Sequence, residues 1–76
     1  MAEALSRRRI RSRAFAGLEI VYYEEQMADG RLRYSTETDV AAGDRIVIDG
    51  RTPEDVEAKT EAALHVALYV RQAGLP

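Results

Sequence analysis

Arg31-Leu32-Arg33-Tyr34-Ser35-Thr36-Glu37-Thr38-Asp39-Val40 is the stretch that decides the fold of this chain. Leu32, Tyr34, Thr36, Thr38 and Val40 project to one side of an extended segment, and Arg31, Arg33, Ser35, Glu37 and Asp39 to the other. Such alternation marks a strand of an antiparallel sheet with one buried face and one wet face. Upstream, Leu18, Ile20 and Tyr22 share a side while Glu19, Val21 and Tyr23 take the other, so a second strand runs toward Gln26. Between the two lies Ala28-Asp29-Gly30, a hairpin signal because Asp and Gly tolerate positive φ. Parity then selects the register. A two-residue Asp29-Gly30 loop would put Leu18, Ile20 and Tyr22 on the polar face of the neighbouring strand, whereas a three-residue loop ending in a glycine bulge sets Tyr22 opposite Thr36 and Ile20 opposite Thr38.

Downstream, Ala41-Ala42-Gly43-Asp44 reads as a turn and Arg45-Ile46-Val47-Ile48-Asp49 as a third strand closed by Gly50. Thr52-Pro53-Glu54-Asp55 is a helix start: threonine caps, proline sits where no amide bond is lost, and two acids meet the positive end of the macrodipole. The helix is expected from Pro53 to about Ala73, with Gly74 as its left-handed cap and Pro76 beyond. Val56, Thr60, Ala63, Ala67 and Val70, flanked by Leu64 and Leu68, make a stripe that covers the sheet. The predicted class is α+β: a three-stranded antiparallel meander with one long C-terminal helix packed on one face. A basic arm at residues 1–16, flexible or partly helical, precedes a single βββα domain at residues 17–76.

The core available to this fold is thin. Of 76 residues 46% are hydrophobic, but 12 of those are alanine, and there is no cysteine. A domain of this length buries only about 60% of its unfolded surface, and no disulfide or zinc staple makes up the shortfall. The balance tilts toward an oligomer. The net charge of −2 is divided: residues 1–16 carry five arginines against Glu3, for +4, and residues 17–76 carry six bases against twelve acids, for −6. Clustered cations on an acidic body are a pattern for polyanion contact through counterion release. Ser6-Arg7-Arg8-Arg9-Ile10 and Ala14-Phe15-Ala16 imitate an export signal and its cleavage site, but only Arg11-Ser12-Arg13 separates them where an apolar stretch is required. No apolar run is long enough to span a membrane. A cytoplasmic protein is the default expectation.

Little in the chain carries chemistry. His65, the single histidine, falls on the helix back beside Glu61 and Tyr69, where no pocket forms for acid–base work. Asp39, Asp44, Asp49 and Glu54 recur every five residues but miss the ligand spacing of a calcium loop. None of the glycines opens a phosphate-binding loop. No catalytic residue, cofactor or metal is expected. An enzyme using Glu24, Glu25 or His65 at a dimer-completed site has only the presence of those ionisable groups behind it.

The helix carries a second apolar stripe, Ala58, Ala62, Val66, Tyr69 and Ala73, at about 200–280° from Val56 on a helical wheel. A helix apolar over so much of its circumference has more than one face to bury. With Val21, Tyr23 and Val47 of the open sheet face, these residues form the candidate dimer or partner interface. Candidate nucleic-acid contacts are Arg7, Arg8, Arg9, Arg11 and Arg13 of the arm, with Arg31 and Arg33 of the sheet.

Gly50-x-Thr52-x-Glu54-Asp55-Val56, followed by Ala62-Ala63-Leu64, resembles the start of the last helix in HicB-type antitoxins. That family implies a ββα-rich domain, related in shape to double-stranded-RNA-binding domains, which masks a small ribonuclease toxin. The shared element order requires a helix over residues 2–9. RNA-binding relatives grip phosphates with lysines where this chain has Glu54, Asp55 and Glu57, and three acids there repel an RNA backbone. The expected function is therefore a small non-enzymatic interaction module, a homodimer that docks a protein partner. The alternative is a nucleic-acid-binding or regulatory, antitoxin-like protein acting through the arginine arm.

Overall fold

The computed structural model describes residues 4–72. Within them the chain forms β1 (Ala4–Phe15), β2 (Leu18–Met27), β3 (Leu32–Ala41), β4 (Asp44–Gly50) and α1 (Pro53–Gln72). The strands make one antiparallel sheet in the order β1-β2-β3-β4. The class is α+β with an antiparallel sheet and one C-terminal helix, but the sheet has four strands rather than three. The extra strand is the segment expected as a flexible or partly helical arm. Residues 4–9 are extended, so the element order of the RNA-binding comparison is not met. The helix end expected at Ala73 and Gly74 lies outside the described residues.

Two features hid β1 from its sequence. Its hairpin to β2 closes on Ala16-Gly17, with φ of 50° and 81°. Both loop residues are left-handed, as a two-residue turn between twisted strands demands, yet alanine is a poor signal for that conformation. The second feature is a register shift between Arg9 and Arg11, where Ile10 is the extra residue. A bulge reverses parity. Arg7 and Arg9 therefore pair with Glu25 and Tyr23 on the open face, while Arg11, Arg13 and Phe15 pair with Tyr22, Ile20 and Leu18 on the helix face.

The β2–β3 register is the one parity selects, with Tyr22 opposite Thr36. Gly30 takes φ of 87° at the end of a three-residue loop, and Met27 N donates to Arg31 O at 2.8 Å across its base. The β3–β4 hairpin turns on Ala42-Gly43, with a register shift of its own between Asp39 and Ala41.

The core lies between the helix and the even-numbered side chains of β2–β4. Ile20, Tyr22, Val56 and Leu64 are buried, and Phe15, Leu18, Tyr34, Val40, Ile46 and Ile48 pack around them. Leu32 shares the parity of this face but is 51% exposed. The centre of the helix stripe is Val56, Thr60 and Leu64, while Ala63, Ala67, Leu68 and Val70 are half-buried at its margins.

Two close contacts seat the helix. Thr52 Oγ1 accepts from Asp55 N at 3.0 Å, as an N-cap should, and Asp55 in turn accepts from Arg51 N at 3.3 Å. A hydrogen bond from Lys59, and then the one from Arg51 N, hold the Asp55 carboxyl below its ordinary range. Gly50 is buried directly under this turn: a Cβ there would lie 2.8 Å from Val56 N and 2.9 Å from Val56 Cβ. One turn on, Thr60 Oγ1 donates to Val56 O at 2.6 Å and lies 2.6 Å from Thr36 Oγ1. A hydroxyl has one proton, so Thr36 must donate to Thr60.

Gly50→Ala should lift the first turn off β4 and cost about 1–3 kcal/mol, seen as a lower urea midpoint at unchanged slope; an unaltered midpoint would contradict the close approach. Thr60→Val strands the buried Thr36 hydroxyl and should cost about 1–3 kcal/mol. Thr36→Val should cost less, because Thr60 keeps Val56 O. The double variant should then be more stable than the summed single effects allow; additive costs would contradict the Thr36–Thr60 bond, and a Thr36→Val cost as large as that of Thr60→Val would contradict its direction.

Candidate functional site

The structure brings Arg7, Arg8, Arg9, Arg11 and Arg13 onto one edge strand, and four of the five meet carboxylates. On the open face, Arg7 Nε lies 3.3 Å from Glu25 and its Nη2 donates to Glu37. Arg33 Nε donates to the same Glu25 at 3.0 Å, so this buried carboxylate is held between two guanidinium groups. Arg45 bridges Glu37 at 3.0 Å and Asp39 at 2.7 Å. The hydrogen bond from Arg45 keeps the Asp39 carboxyl below its ordinary range. On the helix face, Arg8 reaches Glu24 at 3.0 Å and Arg11 reaches Glu57 at 3.3 Å. Arg13 donates to Tyr22 Oη at 3.1 Å and to Glu61 at 2.7 Å, with Glu57 at 3.0 Å. The bond to Tyr22, opposed by burial and reinforced by Glu61, raises the Arg13 pKa. Burial works against the charge on Arg7, but its hydrogen bond to Glu37 and the fields of Glu37 and Glu25 raise its pKa all the same.

Arginine–aromatic contacts run alongside. The Arg7 guanidinium sits 3.6 Å from the Tyr23 ring centroid and that of Arg11 4.3 Å from Tyr22, both within cation–π range. Tyr23, a candidate interface residue of the open face, is thus already covered by Arg7. Arg31 stands apart in the loop after Gly30, 83% exposed and 4.0 Å from Asp29. Among the described residues Arg9 makes no ion pair. The acids Glu24, Glu25, Glu37, Glu57 and Glu61 are the half of this arrangement that sequence reading did not assign. Their signal was the charge division itself, since +4 and −6 in one small chain attract one another.

The open face carries a shallow bowl lined by Glu19, Val21, Tyr23, Glu37, Asp39 and Arg45. Val47 beside it is 54% exposed, and Val21 and Tyr23 are half-buried. His65 meets Phe15 edge-to-face at 6.2 Å, while Arg13 occupies its helix neighbour Glu61. Among the described residues no group of three or more His, Cys, Asp or Glu could hold a metal, and no helix is long and apolar enough to cross a membrane.

The second apolar stripe of α1 faces outward. Ala58 and Ala62 are exposed, Val66 is 65% and Tyr69 68% exposed, and Ala73 lies outside the described residues. Glu57 and Glu61, which receive Arg11 and Arg13, project at about 100° and 140° on the wheel, on the β1 side of the helix. The stripe lies on the top of the helix and its β4 side.

Glu57→Gln combined with Glu61→Gln should loosen β1. Amides of Arg11, Arg13 and Phe15 should then exchange hydrogen faster than those of β3, and high salt should have the same effect on the wild type. Equal protection of β1 and β3 in the double variant would show that the ladder alone holds the strand. No protein-family model matches the chain, nor does any curated protein or solved structure match it.

Proposed function

We propose that this chain is a small non-enzymatic interaction module that self-associates through the outer flank of α1 and docks a protein partner. The observation that carries this reading is the line Ala58, Ala62, Val66 and Tyr69, exposed along a helix whose opposite face already covers the sheet. Large apolar side chains left in water next to small residues suit a close helix–helix contact, and a two-fold axis makes one such stripe its own partner. An antiparallel pair crossing at Ala62 sets Ala58 against Val66 of the second copy and Asp55 against Tyr69 of the second copy. It also aligns the acidic first turn, Glu54 and Asp55, with the end that carries Arg71, so charges and macrodipoles oppose favourably.

A second reading is nucleic-acid binding or antitoxin-like regulation. What favours it is Arg9, which makes no ion pair among the described residues, with Arg31 and with Arg8, which is 71% exposed although it meets Glu24. Its base is narrower than the composition suggests, because Arg7, Arg11, Arg13 and Arg33 already meet acids and have fewer counterions to release.

Ala62→Glu or Val66→Glu should halve the mass of the wild-type dimer by light scattering, with circular dichroism unchanged. A wild type monomeric at high concentration, or variants of undiminished mass, would sink the helix-flank dimer.

A further inference from the structure

Among the described residues no strand pairs with the outer side of β1, which ends the sheet. Its geometry there follows from the turn. A two-residue loop makes Phe15 and Leu18 the closing hydrogen-bonded pair, and the alternation of an antiparallel ladder makes Arg13–Ile20 and Arg11–Tyr22 the next such pairs. Ser12 and Ala14, between them, turn their N–H and C=O groups outward. The regular run is Arg11 to Phe15, because the bulge at Ile10 twists the strand away and ends straightforward pairing. Five residues of extended chain, about 17 Å, are therefore available to an added strand.

The side chains along this run sort by face. Arg11 and Arg13 lie on the helix face, while Ser12 and Ala14, small and exposed, lie on the open face next to Val21 and Glu19. Residues 4–15 contain five arginines and no acid. The carboxylates that meet them all come from the inner side, on β2, β3 and α1. Arg11 commits only Nη2, at 3.3 Å, and Arg13 commits Nε and Nη2, so with five N–H donors each guanidinium keeps some uncommitted, Arg11 the more. A second copy of β1 is a poor occupant, because it sets arginine against arginine across the new ladder.

We propose that the Arg11–Phe15 edge accepts, by strand addition, an extended segment of a partner protein in which acidic and bulky apolar residues alternate. The acids of that segment face Arg11 and Arg13, and its apolar side chains lie over the shelf of Ser12 and Ala14 toward Val21. Main-chain bonds to Ser12 and Ala14 supply affinity, and the alternating faces supply specificity. This inference rests on the protein-docking reading above and gives it a surface and a partner chemistry; it does not depend on the helix-flank dimer.

The test is fluorescence anisotropy of a labelled six-residue peptide alternating glutamate and valine, titrated with the full chain. Saturable binding that weakens as salt rises is expected. Ser12→Pro removes an outward N–H from an edge strand, where proline is tolerated, and should weaken binding roughly tenfold or more while the circular dichroism spectrum is kept. A peptide N-methylated at alternate amides keeps every charge and should show the same loss against the wild type, an arm that stands even where the proline variant fails to fold. Val66→Glu should bind like the wild type. Binding that survives N-methylation, or an oligodeoxythymidylate of equal charge that binds as tightly and ignores Ser12→Pro, would replace strand addition by a polyanion grip. Binding lost in Val66→Glu and kept in Ser12→Pro would move the docking surface to the helix flank, overturning the edge while the protein-docking reading stands. No saturable binding of the peptide would overturn the proposal outright.

Discussion

Carboxylates of β2, β3 and α1 closing on the arginines of β1 are the interaction on which the four-stranded form of this protein depends. Residues 4–12 of β1 are exposed throughout, and only Arg13 and Phe15 are partly covered. The strand therefore brings almost no apolar burial to its attachment. What remains is the ladder to β2, the pairs to Glu24, Glu25, Glu37, Glu57 and Glu61, and the guanidinium faces laid on Tyr22 and Tyr23. Exposed ion pairs are individually weak and screened by salt. Their sum ties β1 to two other strands and the helix, which main-chain bonds to β2 cannot do alone. The Glu25 carboxylate is the exception to exposure: held between Arg7 and Arg33, it would be costly to leave behind if either were removed.

The rest of the fold turns on how close the helix comes to the sheet. Its floor is polar as well as apolar, since Thr36, Thr38 and Thr60 are buried with Ile20, Tyr22, Val56 and Leu64. Threonine suits a strand and is small enough to let the helix descend, but its hydroxyl has to be satisfied. Thr36 and Thr60 solve this together: Thr36 donates to Thr60, and Thr60 donates to Val56 O. Thr38 Oγ1 has no partner among the described residues. Gly50 supplies the remaining clearance where α1 begins. The cluster of Ile20, Tyr22, Val56 and Leu64 is thus compact because small and β-branched residues surround it, and the larger apolar groups Val47, Val66 and Tyr69 are left outside.

Much of this was legible because local rules agreed with one another. The alternation from Arg31 to Val40, the glycine in the Ala28–Gly30 loop and the parity of Tyr22 against Thr36 point to one register, and Thr52-Pro53 points to one helix start. The outward stripe of Ala58, Ala62, Val66 and Tyr69 followed from wheel positions alone. β1 was illegible for physical reasons. Ile10 breaks its period, so neither face shows a continuous pattern, and Ala16 occupies a left-handed position that sequence gives no reason to expect. Five arginines read as a solvated arm until the acids that receive them are brought near by the fold. Leu32 failed in the opposite sense: its parity is right, but it is 51% exposed in spite of it.

The same clamp also decides which surfaces remain for others. By drawing Arg11 and Arg13 onto Glu57 and Glu61, it fixes β1 to one side of α1 and spends the acidic side of the helix internally. The apolar stripe lies about 100° farther around the helix, toward β4. An occupant on the β1 edge and a second helix on the flank would therefore approach from different sides and need not compete. The charge division met first in the sequence, a basic segment on an acidic body, is largely consumed inside one molecule. The surfaces left uncovered are main-chain groups and spare guanidinium donors on the edge, and apolar groups on the helix.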